Sequence, residues 1–261
     1  MEAGKSSSDL EQEVFSQDLC TSCGACVNIC PYIKVVRDKV AVIEPCGLTE
    51  GKCYDFCPRT PTDISALDRS VFGKPRADFS LGPYISVEMA QAKDSEIRCR
   101  AQYGGVVSAL IKYALDTGQI SNAVLTRPFD SAMMPASVMV EESNQMAECA
   151  GSNYISSATL AKMNEATKQG KDSLGLVGIP CQVIALRKMQ ASKHETGAKG
   201  VKRAGGVDAY RQPEPLLDAR DAQRLRARRD PQPHDAGPAG RGEEAEPLQP
   251  YPLGLEFPAL Q

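Results

Sequence analysis

No run of about 18 apolar residues occurs anywhere in this 261-residue chain, which leaves no candidate for a membrane-spanning helix. The N-terminal stretch MEAGKSSSDLEQEVFSQDL lacks the apolar core of a secretory leader, so the expected location is the cytoplasm. Basic residues form no stripe and the net charge is only -3, which argues against nucleic acid as a partner. Histidine is scarce: His194 and His234 are the only two, so an imidazole acid or base is not favoured. A G-x-G-x-x-G phosphate loop is missing as well.

Cysteine runs the other way. There are ten, and seven fall between Cys20 and Cys57. A chain of this length can bury a core without disulfide staples. In a reducing compartment, closely spaced thiols serve metals or catalysis rather than bridges. Cys20, Cys23, Cys26 and Cys30 with Pro31 fit C-x2-C-x2-C-x3-C-P, the bacterial ferredoxin run. Three thiolates two residues apart wrap one face of a cubane, while the fourth, after the turn, points toward a second cluster. Structural zinc is the competing reading of any C-x2-C pair; the third thiol at the same spacing favours iron-sulfur.

The second run, CGLTEGKCYDFCP, supplies Cys46, Cys53 and Cys57 with Pro58. It keeps C-x3-C-P but lacks a middle thiol. With crossed ligation, Cys57 completes the set begun by Cys20, Cys23 and Cys26, leaving Cys30, Cys46 and Cys53 for the other cluster. One 4Fe-4S cluster is expected, with a second that is either a three-thiolate 3Fe-4S cluster or a 4Fe-4S cluster with a further ligand, such as Cys99.

Beyond Pro83 the pattern turns to strands and amphipathic helices. Strands are expected at 84–90 (YISVEMA), 122–127 (NAVLTR), 136–140 (ASVMV) and 173–178 (SLGLVG), and helices at 104–118, 157–170 and 181–191. Two of the helices close on Gly118 and Gly170, and the third follows a Gly-Ile-Pro turn. The strand, helix, strand order predicts at least part of a parallel sheet with crossover helices. The fold class is therefore α+β: a small ferredoxin-like domain (16–65) after a disordered N-terminus (1–15), then an α/β domain (80–203). Residues 204–261 contain no Ile, Lys, Ser, Thr, Met, Asn or Cys and hold 9 of the 18 prolines. That composition reads as a disordered tail, produced by an out-of-frame translation or by a natural Pro/Arg-rich linker.

Three blocks, RAQYGGVVSALIKYALDTGQISNAVLTR, GSNYISSATLAKM and LGLVGIPCQVIALRKMQ, follow a cysteine module ending in CPRT. Over residues 18–203 this order resembles the beta subunit of the coenzyme F420 hydrogenase/dehydrogenase family. The resemblance implies an iron-sulfur flavoprotein and an oxidoreductase, in which FAD exchanges hydride with F420 and single electrons with the clusters. It implies partners in a redox complex of hydrogenase, formate dehydrogenase or disulfide reductase type. A flavin joins the two regimes because it can pass electrons singly or in pairs.

Cofactor-binding positions follow from turns within these blocks. Gly104 and Gly105 precede a helix start where bare backbone N-H groups can approach a phosphate; ordinary turn chemistry is the plainer reading. Gly178, Pro180 and Cys181 form a strand-to-helix turn, where a thiol at a helix N-terminus gains reactivity or simply packs. Gly151, Ser152 and Tyr154 are assigned by resemblance alone. Cys149 is expected in the core, and Cys99 beside Arg98 and Arg100 is either a reactive thiol or a surface residue. Two alternatives stand beside the F420 reading: a flavoprotein using NAD(P)H, and a flavin-free ferredoxin-like relay or scaffold.

Overall fold

The structure, a computed structural model, describes residues 4–37, 39–76, 82–84, 86–128, 135–151, 153, 155–192, 194 and 197–206. Every described residue belongs to the first of the two units into which the chain divides, Met1–Asp218. Ser152, Tyr154 and the tail from residue 207 onward lie outside the described residues.

Helix α1 (Ser7–Leu10) continues as a π-helical turn, Glu11–Phe15. Residues 7–15 of the segment expected to be disordered are thus helical, because Leu10 and Val14, four residues apart on one face, are both buried. A short antiparallel hairpin follows, β1 (Ile33–Val36) with β2 (Lys39–Val42). Helices α2 (Lys52–Phe56) and α3 (Ile64–Phe72) complete the cysteine-rich segment. Asp63 caps α3 by accepting from the Ala66 N-H at 2.8 Å.

Helices α4 (Ser95–Arg100) and α5 (Val106–Asp116) lead into a four-stranded sheet. Its strands are β3 (Asn122–Arg127), β4 (Ala136–Val140), β5 (Leu174–Gly178) and β6 (Val201–Gly206), in the order β4-β3-β5-β6. β3 pairs antiparallel with β4 and parallel with β5, and β5 pairs parallel with β6. Helices α6 (Thr159–Lys168) and α7 (Pro180–Ala191) are the crossovers. The sequence's parallel sheet is present, and β4 adds an antiparallel edge. β6 crosses the boundary placed at residue 203.

One expected strand does not form. Residues 84 and 86–90 carry no strand, and Val87 and Met89 are almost wholly exposed. Alternation of apolar and polar residues satisfied the period of a strand, yet no partner among the described residues pairs with it. The chain is pinned just beyond, where the Ala92 N-H donates to Gly104 O at 2.6 Å.

The cysteine-rich segment and the sheet share a core. Cys23, Ala25 and Phe56 pack with Val124, Leu160, Met163, Leu174, Leu176 and Leu186. A second cluster, with Leu10, Val14, Cys26, Ile33 and Cys53, surrounds the thiols.

Candidate iron-sulfur and cofactor site

The loop Cys20–Cys30 turns tightly because Ser22, Gly24 and Asn28 all adopt positive φ. α6 grips this loop by its backbone. The Leu160 N-H donates to Cys23 O at 3.1 Å. The Asn164 amide donates to Ala25 O and Val27 O, and the Asn28 amide returns a bond to Ala161 O. α7 holds the second run through Lys188, whose ammonium donates to Cys57 O, Pro61 O and the hydroxyls of Thr60 and Thr62.

The thiols lie near one another in two overlapping sets. Cys23 has Cys181, Cys57 and Cys20 for neighbours, Cys26 has Cys23, Cys57 and Cys20, and Cys53 has Cys30 and Cys46. Cys26 also neighbours Cys53, so the sets adjoin. Burial pushes the Cys23 thiol up to about 12 and Cys53 to about 11, and holds Cys26 well above the ordinary thiol range. A buried thiolate is costly unless a cation compensates it, and a metal cluster supplies that cation. Backbone N-H groups of Ser22 and Arg59 donate to the sulfurs of Cys20 and Cys57, each at 3.4 Å; such bonds to cluster sulfur tune its potential.

Sulfur spacing bears on the zinc alternative. Tetrahedral zinc at about 2.3 Å from each sulfur draws its thiolates to within about 4 Å of one another. Among the described residues the one group of three ligand atoms within 4.8 Å of each other is Glu50, Asp55 and His194, so no three of the seven thiols lie that close.

Behind the cysteine loop lies a cavity of about 600 Å³, within the range of ordinary cofactor pockets. Gly104, Gly105, Gly151 and Gly178 all line it, together with Ser157 and Gln182. Pro180 and Cys181 do not; Pro180 is exposed, and Cys181 packs against the core that contains Cys23. Gly105, at φ +72, is the N-cap of α5 and brings no capping side chain, leaving the first-turn N-H groups available to an anion. The lining residue Asn153 has a buried Nδ2 with no partner among the described residues, a donor that a ligand acceptor would satisfy.

Sequence reasoning did not single out Asn164, Lys188 or Gln182. Gln182 is buried and donates to Ser157 O at 2.8 Å and Thr159 Oγ1 at 3.0 Å, while its carbonyl accepts from the Ile179 N-H at 2.9 Å. Gln182→Ala strands those buried partners. We expect a loss of about 2 kcal/mol, read from the urea midpoint of the cluster-loaded protein. Cys149 is half-buried against Ile111, Ile120 and Val140. Cys99 is exposed on α4, and neighbouring Arg98 donates to Ala92 O and Lys93 O.

Residues 87–164 match the family model described as coenzyme F420 hydrogenase/dehydrogenase, beta subunit N-term, and residues 13–32 match the 4Fe-4S binding domain. Residues 87–164 thus carry the N-terminal domain of the coenzyme F420 hydrogenase/dehydrogenase beta subunits. It is 29% identical over 180 residues to the coenzyme F420-dependent sulfite reductase of Methanocaldococcus jannaschii, covering 68% of this chain and 26% of that protein. It is 37% identical over 111 residues to the coenzyme F420 hydrogenase subunit beta of Methanothermobacter thermautotrophicus, covering 42% of this chain and 40% of that one. A solved structure of the F420-reducing NiFe hydrogenase complex from Methanosarcina barkeri is 30% identical, with a TM-score of 0.47, over 49% of this chain and 45% of that chain. The chain thus spans less than half the length of these relatives. Among the described residues no helix is long and apolar enough to cross a membrane.

Proposed function

We propose that the chain is the cluster-bearing, cofactor-binding part of an electron-transfer oxidoreductase subunit that links iron-sulfur clusters, FAD and coenzyme F420. In this reading Cys20, Cys23, Cys26 and Cys57 hold one 4Fe-4S cluster, and Cys30, Cys46 and Cys53 hold a second. The cavity residues Gly104, Gly105, Gly151 and Gly178 face FAD, with Ser152 and Tyr154 assigned by resemblance. The partners are other subunits of a redox complex of hydrogenase, formate dehydrogenase or reductase type.

The observation that carries the reading is that the cavity wall and the cysteine loop share the first turn of α6. Ser157 and Gln182 line the cavity, Gln182 donates to Thr159, and the adjacent Leu160 N-H bonds Cys23 O. Cys181, on the residue before Gln182, packs in the core beside Cys23. A cluster held by Cys23 would be joined to the cavity wall through the first turn of α6. The α5 N-terminus and the Gly-Gly turn can neutralise a phosphate, Asn153 can donate to a ring or ribose acceptor, and the apolar wall of Ile111, Leu125 and Val177 excludes water. When bound, FAD supplies hydride exchange with F420 and one-electron exchange with the clusters.

The test is anaerobic reconstitution followed by titration with FAD and assay with reduced F420. About one FAD per chain, with F420-dependent reduction of the clusters, is the expected result. No flavin binding beside intact iron-sulfur absorbance would sink the flavin assignment and leave a ferredoxin-like relay. Flavin binding with nicotinamide oxidation and no F420 turnover would transfer the site to NAD(P)H.

A further inference from the structure

We infer that Glu50, Asp55 and His194 form a divalent transition-metal site, separate from the clusters, that ties the second cysteine run to the end of α7. One ligand atom from each residue lies within 4.8 Å of the other two. His194 Nε2 stands 3.2 Å from Asp55 Oδ2. Two carboxylates and one imidazole form a mixed oxygen and nitrogen donor set that suits Mn²⁺, Fe²⁺ or Zn²⁺ rather than a soft thiophilic ion.

The three residues reach one point for local reasons. Glu50 precedes Gly51, whose extended backbone (φ -143, ψ 133) caps α2, and Asp55 lies in the last turn of that helix. The Gly51 N-H donates to Lys5 O at 2.8 Å, which fixes the approach to the helix. His194 follows α7; its N-H donates to Ser192 Oγ at 3.1 Å, and its ring meets the edge of buried Phe56 at 6.2 Å. The ring is thus oriented before any ion arrives. Lys188 also faces Asp55, but its ammonium is taken up by the four oxygens of the 57–62 segment.

This site does not depend on the flavin reading. It also does not use any of the seven cysteines. The nearest competing account is a plain His194–Asp55 ion pair with Glu50 as a bystander.

Manganese distinguishes the two, since Mn²⁺ favours carboxylate oxygens and binds thiolates poorly. Cluster-loaded protein is titrated with Mn²⁺, following the free-ion EPR signal, with iron-sulfur absorbance as the check on integrity. The expected result is one Mn²⁺ per chain whose electron spin-echo pattern carries nitrogen modulation from an imidazole. E50Q and H194Q should each weaken binding by more than the roughly tenfold lost with an outer-shell partner, and H194Q should abolish the nitrogen modulation. E148Q, at an exposed carboxylate paired with Arg127, should bind as the parent does. The inference is overturned if the cluster-loaded parent binds no Mn²⁺, or if E50Q binds it as tightly as the parent.

Discussion

Cys57→Ser is expected to delete the same cluster as Cys23→Ser, although the two cysteines belong to different runs of the sequence. Each should lower iron by about four atoms per chain and remove the same component of the reduced EPR spectrum. Cys30→Ser and Cys53→Ser should remove the other component, and the double variant Cys23→Ser with Cys57→Ser should lose no more iron than either single one. The basis is the crossed ligation of the ferredoxin run, with which the nearness of Cys57 to Cys23 and Cys26 and of Cys30 and Cys46 to Cys53 agrees. The effect is large because Cys26 and Cys53 lie within, and Cys20, Cys30 and Cys57 against, the apolar cluster of Leu10, Val14 and Ile33, while Cys23 is buried in the core with Phe56. Cluster binding there is also folding energy, so each substitution should lower the thermal midpoint as well as the iron. A match of Cys57→Ser with Cys53→Ser would show that each run ligates its own cluster.

How far the sequence carried depends on whether a feature is local. The C-x2-C-x2-C-x3-C-P spacing and the helix stops at Gly118 and Gly170 are local, and both glycines do take positive φ. The buried strands at 122–127 and 174–178 were legible as continuous apolar runs. Residues 84–90 show the limit of this reasoning. Their alternation promised a strand, but a strand needs a neighbour, and pairing is not written in one segment's period. The N-terminal helix was missed for a related reason: SSSDLEQEVF looks polar, and only the cysteine core gives Leu10 and Val14 something to cover.

The site shows the same division. Gly104, Gly105 and Gly178 converge on one cavity because tight turns at strand and helix ends signal themselves, and Gly151, assigned by resemblance, lines the same cavity. Asn164, Lys188 and Gln182 carried no signal. Each is a polar residue whose partner lies more than 20 positions away, as with Lys188 and the 57–62 segment or Asn164 and Ala25. Their meaning depends on α6 and α7 lying against the cysteine loops, which no spacing in the sequence records.

Gly24→Ala is expected to loosen that packing without touching a ligand. Gly24 sits at φ +83, where a side chain costs roughly 1–2 kcal/mol. Its added Cβ would also lie 2.7 Å from Ala161 N and 2.8 Å from Ala158 O. Both are backbone atoms of the α6 start, so no rotamer relieves the clash. The loop must withdraw, which strains the Cys23 O bond to Leu160 N and the Asn28 and Asn164 amide bonds. Strain and overpacking together predict a loss of roughly 3 kcal/mol or more. Gly73→Ala provides the comparison. It has nearly the same φ, +71, but open space around the added Cβ, so it carries only the left-handed cost. The difference between the two urea midpoints isolates the collision with α6. If the midpoints agree, the cysteine loop does not rest on that helix. If Gly24→Ala is much weaker and also loses the Cys23 cluster faster in air, the α6 start is the support on which the cluster nearest the cavity is held.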